Sequence, residues 1–315
     1  MQNELRALAL ENWDVVHFDT IGLAQYRHLF GNVAATLGHH NIESHMMRRR
    51  SAQESNPLLR AYFELEALRL EAYERATAAQ FDCHITCSTL DSERLRRVSS
   101  NASVTDIPNG VDCEYFKRSA STLNPKGNSG APQIDLLFVG TMDWYPNAAA
   151  MEFFVEDVWP LLVQRRPGIR MGIVGRNPSA RLKQAASASG GISLYGYVDD
   201  VRPFMESASV FVCPIKDGGG TKLKILDAMA MESCIVADPI SCEGIDVQDG
   251  VHVRLASEPT EYVAAIDSIL GSRDLQSRMG LAARTLVQNR YSYESLGRRL
   301  SDLWVEIVVG KRPRR

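Results

Sequence analysis

Short apolar runs alternate with amphipathic helical stretches along the second half of this chain, and this alternation restricts its fold more than any other feature. The runs lie at residues 133–140, 170–175, 192–198, 210–215 and 234–238. Strands that are apolar on both sides, each followed by a helix, are typical of a parallel sheet covered by helices on both faces. Residues 133–290 are therefore predicted to form a doubly wound α/β domain.

The first third of the chain shows the same alternation less regularly. Strands are predicted at residues 14–18, 32–38, 83–88 and 103–108. A long amphipathic helix is predicted from about Pro57 to Gln80. Its apolar positions are Leu59, Tyr62, Phe63, Leu65, Leu68 and Leu70. Residues 1–116 are thus predicted to be a second Rossmann-like domain.

Residues 117–132 separate the two predicted domains. They are rich in Ser, Gly, Asn and Pro and contain almost nothing to bury, which is typical of a linker or an exposed loop. At the other end, residues 291–315 are predicted to be a helix that packs back on the N-terminal domain, followed by the basic tail GKRPRR.

Composition narrows the class of protein. A net charge of −3, with 45% hydrophobic and 23% charged residues over 315 positions, fits a soluble globular enzyme and gives no electrostatic case for nucleic acid. The six cysteines show no CxxC or zinc spacing, so a cytoplasmic location without a metal is predicted. No stretch is long enough to span a membrane. The basic tail is either solvated or in weak peripheral contact with anionic lipid.

The segment DGGGTKLKILDAMAM, residues 217–231, is the most informative motif. It follows the predicted strand at 210–215 and opens a helix, so its backbone N–H groups are free to meet an anion. Lys222 adds positive charge there, and a diphosphate is the predicted ligand. From these residues alone a second interpretation stays open, in which the glycines form a flexible turn and Lys224 and Asp227 form a solvated i,i+3 pair.

Two better-known nucleotide motifs are excluded by spacing. The sequence contains no GxxxxGK[ST], which a P-loop requires, and no GxGxxG after a predicted strand, which a dinucleotide-dependent redox enzyme requires.

Several segments resemble, in order and spacing, the retaining glycosyltransferases of family 4 (group 1 glycosyltransferases), which have the GT-B fold. In the second half these are LLFVGTMDWYPN (136–147), YGYVDDVRP (195–203), GGGTKLKILDAMAM (218–231) and ISCEGIDV (240–247); in the first third they are HHNIE (39–43), YERATAAQFDCHITCS (73–88) and IPNGVDCEYF (107–116). The resemblance covers about residues 12–305. It implies two Rossmann-like domains facing a cleft, the first one incomplete.

The resemblance also implies roles for individual residues. Asp227 would hold the ribose of the nucleotide, and His40 would lie at the donor sugar as the candidate catalytic residue. Without the HNIE context, the residues favour a strand-end histidine bonded to backbone at position 40. The residues that would hold or adjoin the diphosphate and sugar are Gly140, Asn147, Gly219, Gly220, Thr221, Lys222 and Leu223, with Lys224, Glu243 and Gly244 as weaker candidates.

The family's chemistry transfers a sugar from a nucleoside diphosphate, here expected to be of UDP or GDP type, to an acceptor. Retention as usually described needs no protein nucleophile, because the acceptor attacks on the face that the phosphate leaves and the phosphate takes the proton. Neither a cofactor nor a metal is expected, since the sequence has no DxD triad. The acceptor is an unknown sugar or lipid-linked molecule, and the arginine run at 48–50 either binds a phosphate on it or is solvated.

This sequence departs from the family pattern at several positions. Gly219 stands where the first of two glutamates is usual, Asp227 replaces the second, and Glu232 and Cys234 stand where Gly and Pro are usual. Against the family pattern, the N-terminal domain is expected to be short by at least one βα unit, either because the chain starts late or because the protein has lost part of this domain. These departures keep two alternatives open: a non-catalytic nucleotide-binding or partner protein, and a sugar-nucleotide epimerase with the same fold.

Overall fold

The computed structural model describes residues 2–119, 133–217 and 220–311. Gly219, most of the predicted linker and the last four residues of the basic tail lie outside the described residues. The described residues divide into two units. The first contains residues 2–109, 220–221 and 296–311, and the second contains residues 110–119, 133–217 and 222–295. The domain boundaries drawn from the sequence remain predictions.

The first unit is built on a four-stranded parallel sheet with the order β1-β2-β3-β4. Its elements are α1 (Gln2–Leu8), β1 (Val15–Phe18), a 3₁₀ helix (Ile21–Phe30), β2 (Ala34–His39), α2 (Glu43–Gln53), α3 (Pro57–Ala78), β3 (Cys83–Thr86), α4 (Thr89–Val98) and β4 (Val104–Asp106). A small aromatic core forms where the ring of Phe18 meets Phe30 and Phe81 edge-on. The indole of Trp304, from the last helix of the chain, donates to Thr36 Oγ1 on β2 at 3.2 Å.

The second unit contains a six-stranded parallel sheet and eight α-helices in its described part. Its elements are β5 (Leu136–Val139), α5 (Tyr145–Phe153), a π-helical turn (Phe154–Val158), α6 (Trp159–Arg165), β6 (Met171–Val174), α7 (Ala180–Ser189), β7 (Ile192–Gly196), α8 (Arg202–Ser207), β8 (Val210–Cys213), α9 (Leu223–Ala230), β9 (Cys234–Ala237), a 3₁₀ turn (Pro239–Cys242), β10 (Arg254–Leu255), α10 (Pro259–Leu270), α11 (Arg273–Arg290) and the start of α12 (Tyr293–Lys311). The doubly wound parallel sheet predicted from the apolar runs is confirmed.

The order of the second sheet is β10-β9-β8-β5-β6-β7. The chain therefore adds β6 and β7 on one side of β5 and then returns to add β8, β9 and β10 on the other. The loops after β5 and β8 leave the sheet at this reversal, and open α/β sheets bind ligands outside the carboxyl ends of such strands.

Local sequence explains where several helices begin. The side chain of Asn56 accepts hydrogen bonds from Leu58 N and Leu59 N at the start of α3, directly before Pro57. Ser179 and Ser272 cap α7 and α11 in the same way. Such caps satisfy N–H groups that have no partner in the first turn.

Two helical predictions need correction. The helix after β5 begins at Tyr145 rather than at Asn147, and it contains a π-helical turn directly before α6. Pro160 follows this turn and has no N–H to donate, which favours irregular hydrogen bonding there. In α3, four of the six apolar positions named from the amphipathic pattern are exposed: Leu59, Tyr62, Leu65 and Leu68. The core-facing side is formed instead around Phe63 and Ala67.

Candidate functional site

Three predicted site residues meet at the reversal point of the second sheet. Gly140 directly follows β5, Asn147 lies in the first turns of α5, and Lys224 lies in the first turn of α9. The Nζ of Lys224 donates to Asn147 Oδ1 at 2.7 Å, and Asn147 Nδ2 donates to Thr141 O at 2.7 Å. The second bond fixes the amide so that its oxygen faces the lysine. The loop after β5 and the start of α9 are far apart in sequence, and together they hold the lysine ammonium in one place.

Lys224 lies among groups that remove water from its ammonium. Its Nζ is 4.4 Å from the centroid of the Phe138 ring, a cation–π contact. Burial, against the opposing effect of Cys213, is the main cause that lowers the pKa of Lys224 to about 8; the charge of Lys222 acts in the same direction as burial, and Asp227 opposes it. Such a partly desolvated ammonium gains more from an incoming anion than a lysine in bulk water does.

Asp227 follows Lys224 by one helical turn. Burial raises the pKa of this carboxyl to about 7, and the charge of Lys224 opposes the rise. The interpretation of these two residues as a solvated surface pair is therefore wrong, because both are partly buried at the end of the sheet. Lys224, a weaker candidate from the sequence, is held in this cluster by Asn147.

Gly140 is close to both partners of this hydrogen bond. A Cβ built on Gly140 would lie 2.5 Å from Lys224 Nζ and 2.9 Å from Asn147 Nδ2. Contacts under about 3 Å do not occur between real side chains and a Cβ, so the site has room for its lysine only because this residue is glycine.

Gly220 and Thr221, at the end of the glycine-rich turn, are among the described residues. Gly220 has a φ of 68°, a conformation that favours glycine. Residues 220–221 group with the first unit, and a Cβ on Gly220 would lie 2.8 Å from Asn41 Oδ1 and 3.2 Å from His40 O. The Oγ1 of Thr221 is buried without a hydrogen-bond partner among the described atoms. Gly219 lies outside the described residues.

The start of α9 differs slightly from the prediction. The helix begins at Leu223, whose side chain is exposed, and Lys222 is its N-cap residue rather than part of the first turn. Lys222 makes no side-chain capping bond. The first N–H groups of a helix have no intrahelical partner, so the backbone at Leu223 and Lys224 adds donors to the same region.

His40 lies one residue beyond the end of β2, and its side chain is about half exposed. Its Nε2 is 3.5 Å from Asp19 Oδ1, and His17 Nε2 is 3.7 Å from the same oxygen. Asp19 directly follows β1, which pairs with β2 in parallel register. The carboxyl ends of two neighbouring strands thus place a carboxylate between two imidazoles.

Sequence reasoning missed Asp19, because nothing in the spacing of residues 19 and 40 shows that their strands are neighbours. It also missed the hydrogen bond that Tyr145 Oη donates to the carboxylate of Asp217, at the start of the glycine-rich turn. Trp144 packs beside Tyr145 with ring centroids 5.5 Å apart.

The remaining predicted residues lie near the end of β9. Glu243 ends the 3₁₀ turn after this strand, and Gly244 has a φ of 83°. Both are partly buried. No group of three or more His, Cys, Asp or Glu side chains among the described residues is arranged to hold a metal ion. None of the described helices has the length and apolar character needed to cross a membrane.

Parts of this chain are similar in sequence to known proteins. Residues 133–272 match the family described as Glycosyl transferases group 1. The phosphatidyl-myo-inositol mannosyltransferase of Mycobacterium tuberculosis is 26% identical over 227 residues, which is 70% of this chain and 58% of that protein. The enzyme of the same name from Mycolicibacterium smegmatis is 28% identical over 225 residues, 70% of this chain and 56% of its own length. The chain thus matches less than two thirds of the length of these relatives.

Solved structures show the fold over nearly the whole chain. Sucrose-phosphate synthase from Thermosynechococcus elongatus has a TM-score of 0.75 at 18% identity, covering 98% of this chain and 78% of the other. The Anabaena protein HepE in complex with UDP also has a TM-score of 0.75, at 14% identity, covering 97% and 82%. The fold is that of the GT-B glycosyltransferases, and residues 133–272 are similar to the group 1 glycosyltransferase family.

Proposed function

We propose that this protein transfers a sugar from a nucleoside diphosphate sugar to an acceptor, and that Lys224 binds the diphosphate. The observation that carries the proposal is the position of the Lys224 ammonium, which Asn147 holds at the carboxyl ends of β5 and β8. Parallel α/β sheets bind nucleotides at this point of strand reversal.

The chemistry of the ammonium supports a phosphate oxygen as its ligand. A lysine ammonium has three N–H donors. One of them reaches Asn147 Oδ1, and the π face of Phe138 lies beside the charge. A phosphate oxygen completes this coordination, and the unsatisfied N–H groups at the start of α9 add to it.

Asp227 is proposed to bind the ribose hydroxyls. It lies one turn beyond Lys224 on α9, so a nucleotide whose phosphates contact the lysine extends its ribose toward the carboxyl group. Because burial disfavours the charged carboxylate here, two ribose hydroxyls that donate hydrogen bonds would stabilise it. Gly219, Gly220, Thr221, Lys222 and Leu223 are proposed to complete the diphosphate and sugar site, with Glu243 and Gly244 at its edge.

His40 is proposed to lie at the donor sugar, oriented by Asp19. The reaction is proposed to retain the anomeric configuration, with the acceptor hydroxyl attacking on the side that the diphosphate leaves. Three groups stabilise the charge of the departing diphosphate: the Lys224 ammonium, the loop after β5 that bonds to Asn147, and the N-terminus of α9. This route uses no protein nucleophile, cofactor or metal ion.

UDP is the first donor nucleotide to test. HepE, which shares the fold, has been solved with UDP and with UDP-glucose. A GDP-type donor is the second. The acceptor class is a sugar or a lipid-linked molecule in glycan assembly, and the mannosyltransferase relatives are named for a lipid acceptor. A cytoplasmic enzyme, with its basic tail against anionic lipid, is consistent with that setting.

Calorimetric titration with UDP, GDP, ADP and their sugar conjugates tests this proposal. We expect saturable binding of one nucleotide, weakened at least tenfold by Lys224→Ala, since a charge-assisted contact to phosphate is worth about 1.5–3 kcal/mol. Lys183→Ala is the matched control, because Lys183 is an exposed lysine on α7. A folded wild-type protein that binds none of these nucleotides would contradict the proposal and favour a non-catalytic partner protein.

A further inference from the structure

The solvent side of α3 is apolar along most of the helix. Leu58 is 81% exposed, Leu68 is 53% exposed and Leu65 is 47% exposed. Large exposed apolar patches of this kind mark interaction sites in soluble proteins. At 100° per residue, the residues opposite the buried side are Leu58, Ala61, Tyr62, Leu65, Leu68, Arg69, Ala72 and Ala76. We call this set the outer face of α3.

The helix does not need this face to pack onto its own unit. The opposite side of α3 buries Phe63, Ala67 and Glu74. The carboxylate of Glu74 accepts hydrogen bonds from Ser44 N at 3.1 Å and Ser44 Oγ at 2.5 Å, which ties α3 to the start of α2. The outer face is therefore a second apolar stripe, additional to the one that stabilises the fold.

The spacing of the outer face is that of a helix–helix seam. Its central residues are separated by alternating steps of three and four positions: Leu58, Ala61, Leu65, Leu68 and Ala72. Apolar residues repeating in this way form the a and d positions of a heptad, which pack against a similar stripe on a second helix. A stripe with this pattern is complementary to a copy of itself.

Charge around the outer face argues for a protein surface rather than a membrane. The segment from α2 to the end of α3 carries six arginines and six glutamates, so it has no net charge. The charges beside the stripe are paired within the chain: Arg69 with Glu66 at 2.7 Å, Arg75 with Glu71 at 2.7 Å, and Arg48 with both Glu64 and Glu71. Helices that lie on anionic lipid carry an excess of Lys and Arg on their flanks.

We propose that the outer face of α3 binds the outer face of α3 in a second copy of this chain, forming a twofold-symmetric homodimer. An isologous contact requires a surface that is complementary to itself, and the heptad seam with its neutral margin meets that requirement. Leu65 lies at the middle of the seam, so it meets its counterpart whether the two helices run parallel or antiparallel. This inference is independent of the proposed transferase activity.

Sedimentation velocity of the full chain over a dilution series tests the proposal. We expect a concentration-dependent dimer, whose dissociation constant rises at least tenfold in the double variant Leu65→Glu, Leu68→Glu. Leu281→Glu is the matched control, because Leu281 is 61% exposed on α11. The control should dimerise like wild type. Circular dichroism establishes that each variant is folded.

Disulfide trapping tests the geometry directly. All six cysteines of the chain are buried, so Leu65→Cys introduces an exposed thiol at the centre of the seam. Mild oxidation should convert this variant to a covalent dimer, and Leu281→Cys should remain mostly monomeric. A cross-link that forms equally in both variants reports random collision and contradicts the proposal.

Two results overturn the dimer. One is a monomeric wild type at all concentrations. The other is a monomer that co-floats with vesicles of anionic phospholipid and loses this binding in the Leu65→Glu, Leu68→Glu variant, which would assign the face to a membrane. Nucleotide titration of the same variants separates this inference from the proposed function, since loss of the dimer should leave nucleotide affinity unchanged.

Discussion

The Nζ atom of Lys224 lies 2.7 Å from Oδ1 of Asn147, although 77 positions separate the two residues in sequence. Asn147 is buried and is itself held by Thr141 O. The lysine is therefore positioned before any ligand arrives, and little side-chain entropy remains to be lost when an anion binds. This relationship makes the nucleotide affinity sensitive to changes that never touch the nucleotide.

Gly140→Ala should weaken UDP binding by about tenfold, and its loss of stability should not exceed that of one hydrogen bond, about 1.5–3 kcal/mol. The new Cβ would lie 2.5 Å from Lys224 Nζ, the far end of a flexible side chain that can move aside. Moving it breaks the bond to Asn147 Oδ1 and takes the ammonium away from the proposed phosphate position, and the lost charge-assisted contact to phosphate is worth about 1.5–3 kcal/mol. Calorimetry measures the affinity, and thermal unfolding measures the stability. Unchanged affinity in a folded Gly140→Ala protein would contradict the role of this contact.

Gly175→Ala provides the contrast. Gly175 has a φ of 156°, and a Cβ there would lie 1.9 Å from Gly140 O, a backbone atom that cannot move aside. This variant should unfold at a clearly lower temperature than Gly140→Ala. The two substitutions add the same methyl group at the ends of neighbouring strands, so they separate displacement of the lysine from general disruption of the sheet.

The sequence indicated the region of this site but not its main cation. Spacing along α9 places Lys224 and Asp227 three residues apart, a pattern that on an isolated helix means a solvated pair. Their burial depends on the loop after β5, which no local pattern connects to α9. Asp19 and His40 illustrate the same limit, because their proximity follows from the pairing of β1 with β2.

UDP affinity should fall as the pH rises above about 8. Burial lowers the pKa of Lys224 to about 8, so the ammonium that attracts phosphate is present below this pH and lost above it. A bound diphosphate raises this pKa, so the decline begins somewhat higher in the complex. Above the pKa, each pH unit should weaken binding by up to about tenfold.

Lys224→Arg is the control for this pH dependence, because a guanidinium remains charged throughout the range. Titrations of wild type and variant at pH 7, 8 and 9 should show a decline only in wild type. A decline of equal size in Lys224→Arg would assign the titration to a different group.

Glu232→Gly should stabilise the second unit by about 1 kcal/mol. Glu232 has a φ of 54°, and a non-glycine residue in this conformation costs about 1–3 kcal/mol. The position is also where the resembling family usually has glycine. The gain is partly offset by the loss of an ion pair with Arg284 at 3.6 Å and by the backbone entropy of glycine.

Glu232→Ala, which keeps the strain and removes the carboxylate, should be less stable than wild type in chemical denaturation. A Glu232→Gly protein no more stable than Glu232→Ala would refute this account.

The parallel sheets were predictable because strands apolar on both sides have few alternative arrangements. The two apolar sides of α3 were not predictable, because an apolar residue that faces solvent and one that faces the core look alike in sequence. Leu65 and Phe63 both fit a helical pattern, and only the structure shows that Phe63 alone faces inward.

The first unit should lose stability as the pH falls from about 6.5 toward 3. His84 Nε2 donates to Ala78 O, so His84 Nδ1 accepts from His39 Nε2 at 2.9 Å, and both buried rings are neutral. Burial, together with the smaller effects of His84 and His40, lowers the pKa of His39 to about 3, and burial also lowers the pKa of His84. The folded state thus binds fewer protons than the unfolded state between these pH values, and stability falls by up to about 1.4 kcal/mol per pH unit for each ring.

His39→Gln keeps an N–H donor for His84 and removes one titrating ring, so denaturant unfolding at pH 7, 6 and 5 should show a shallower loss. His28→Gln, an exposed control on the 3₁₀ helix, should follow wild type. Parallel acid profiles for His39→Gln and wild type would show that this histidine pair does not set the acid limit of the fold.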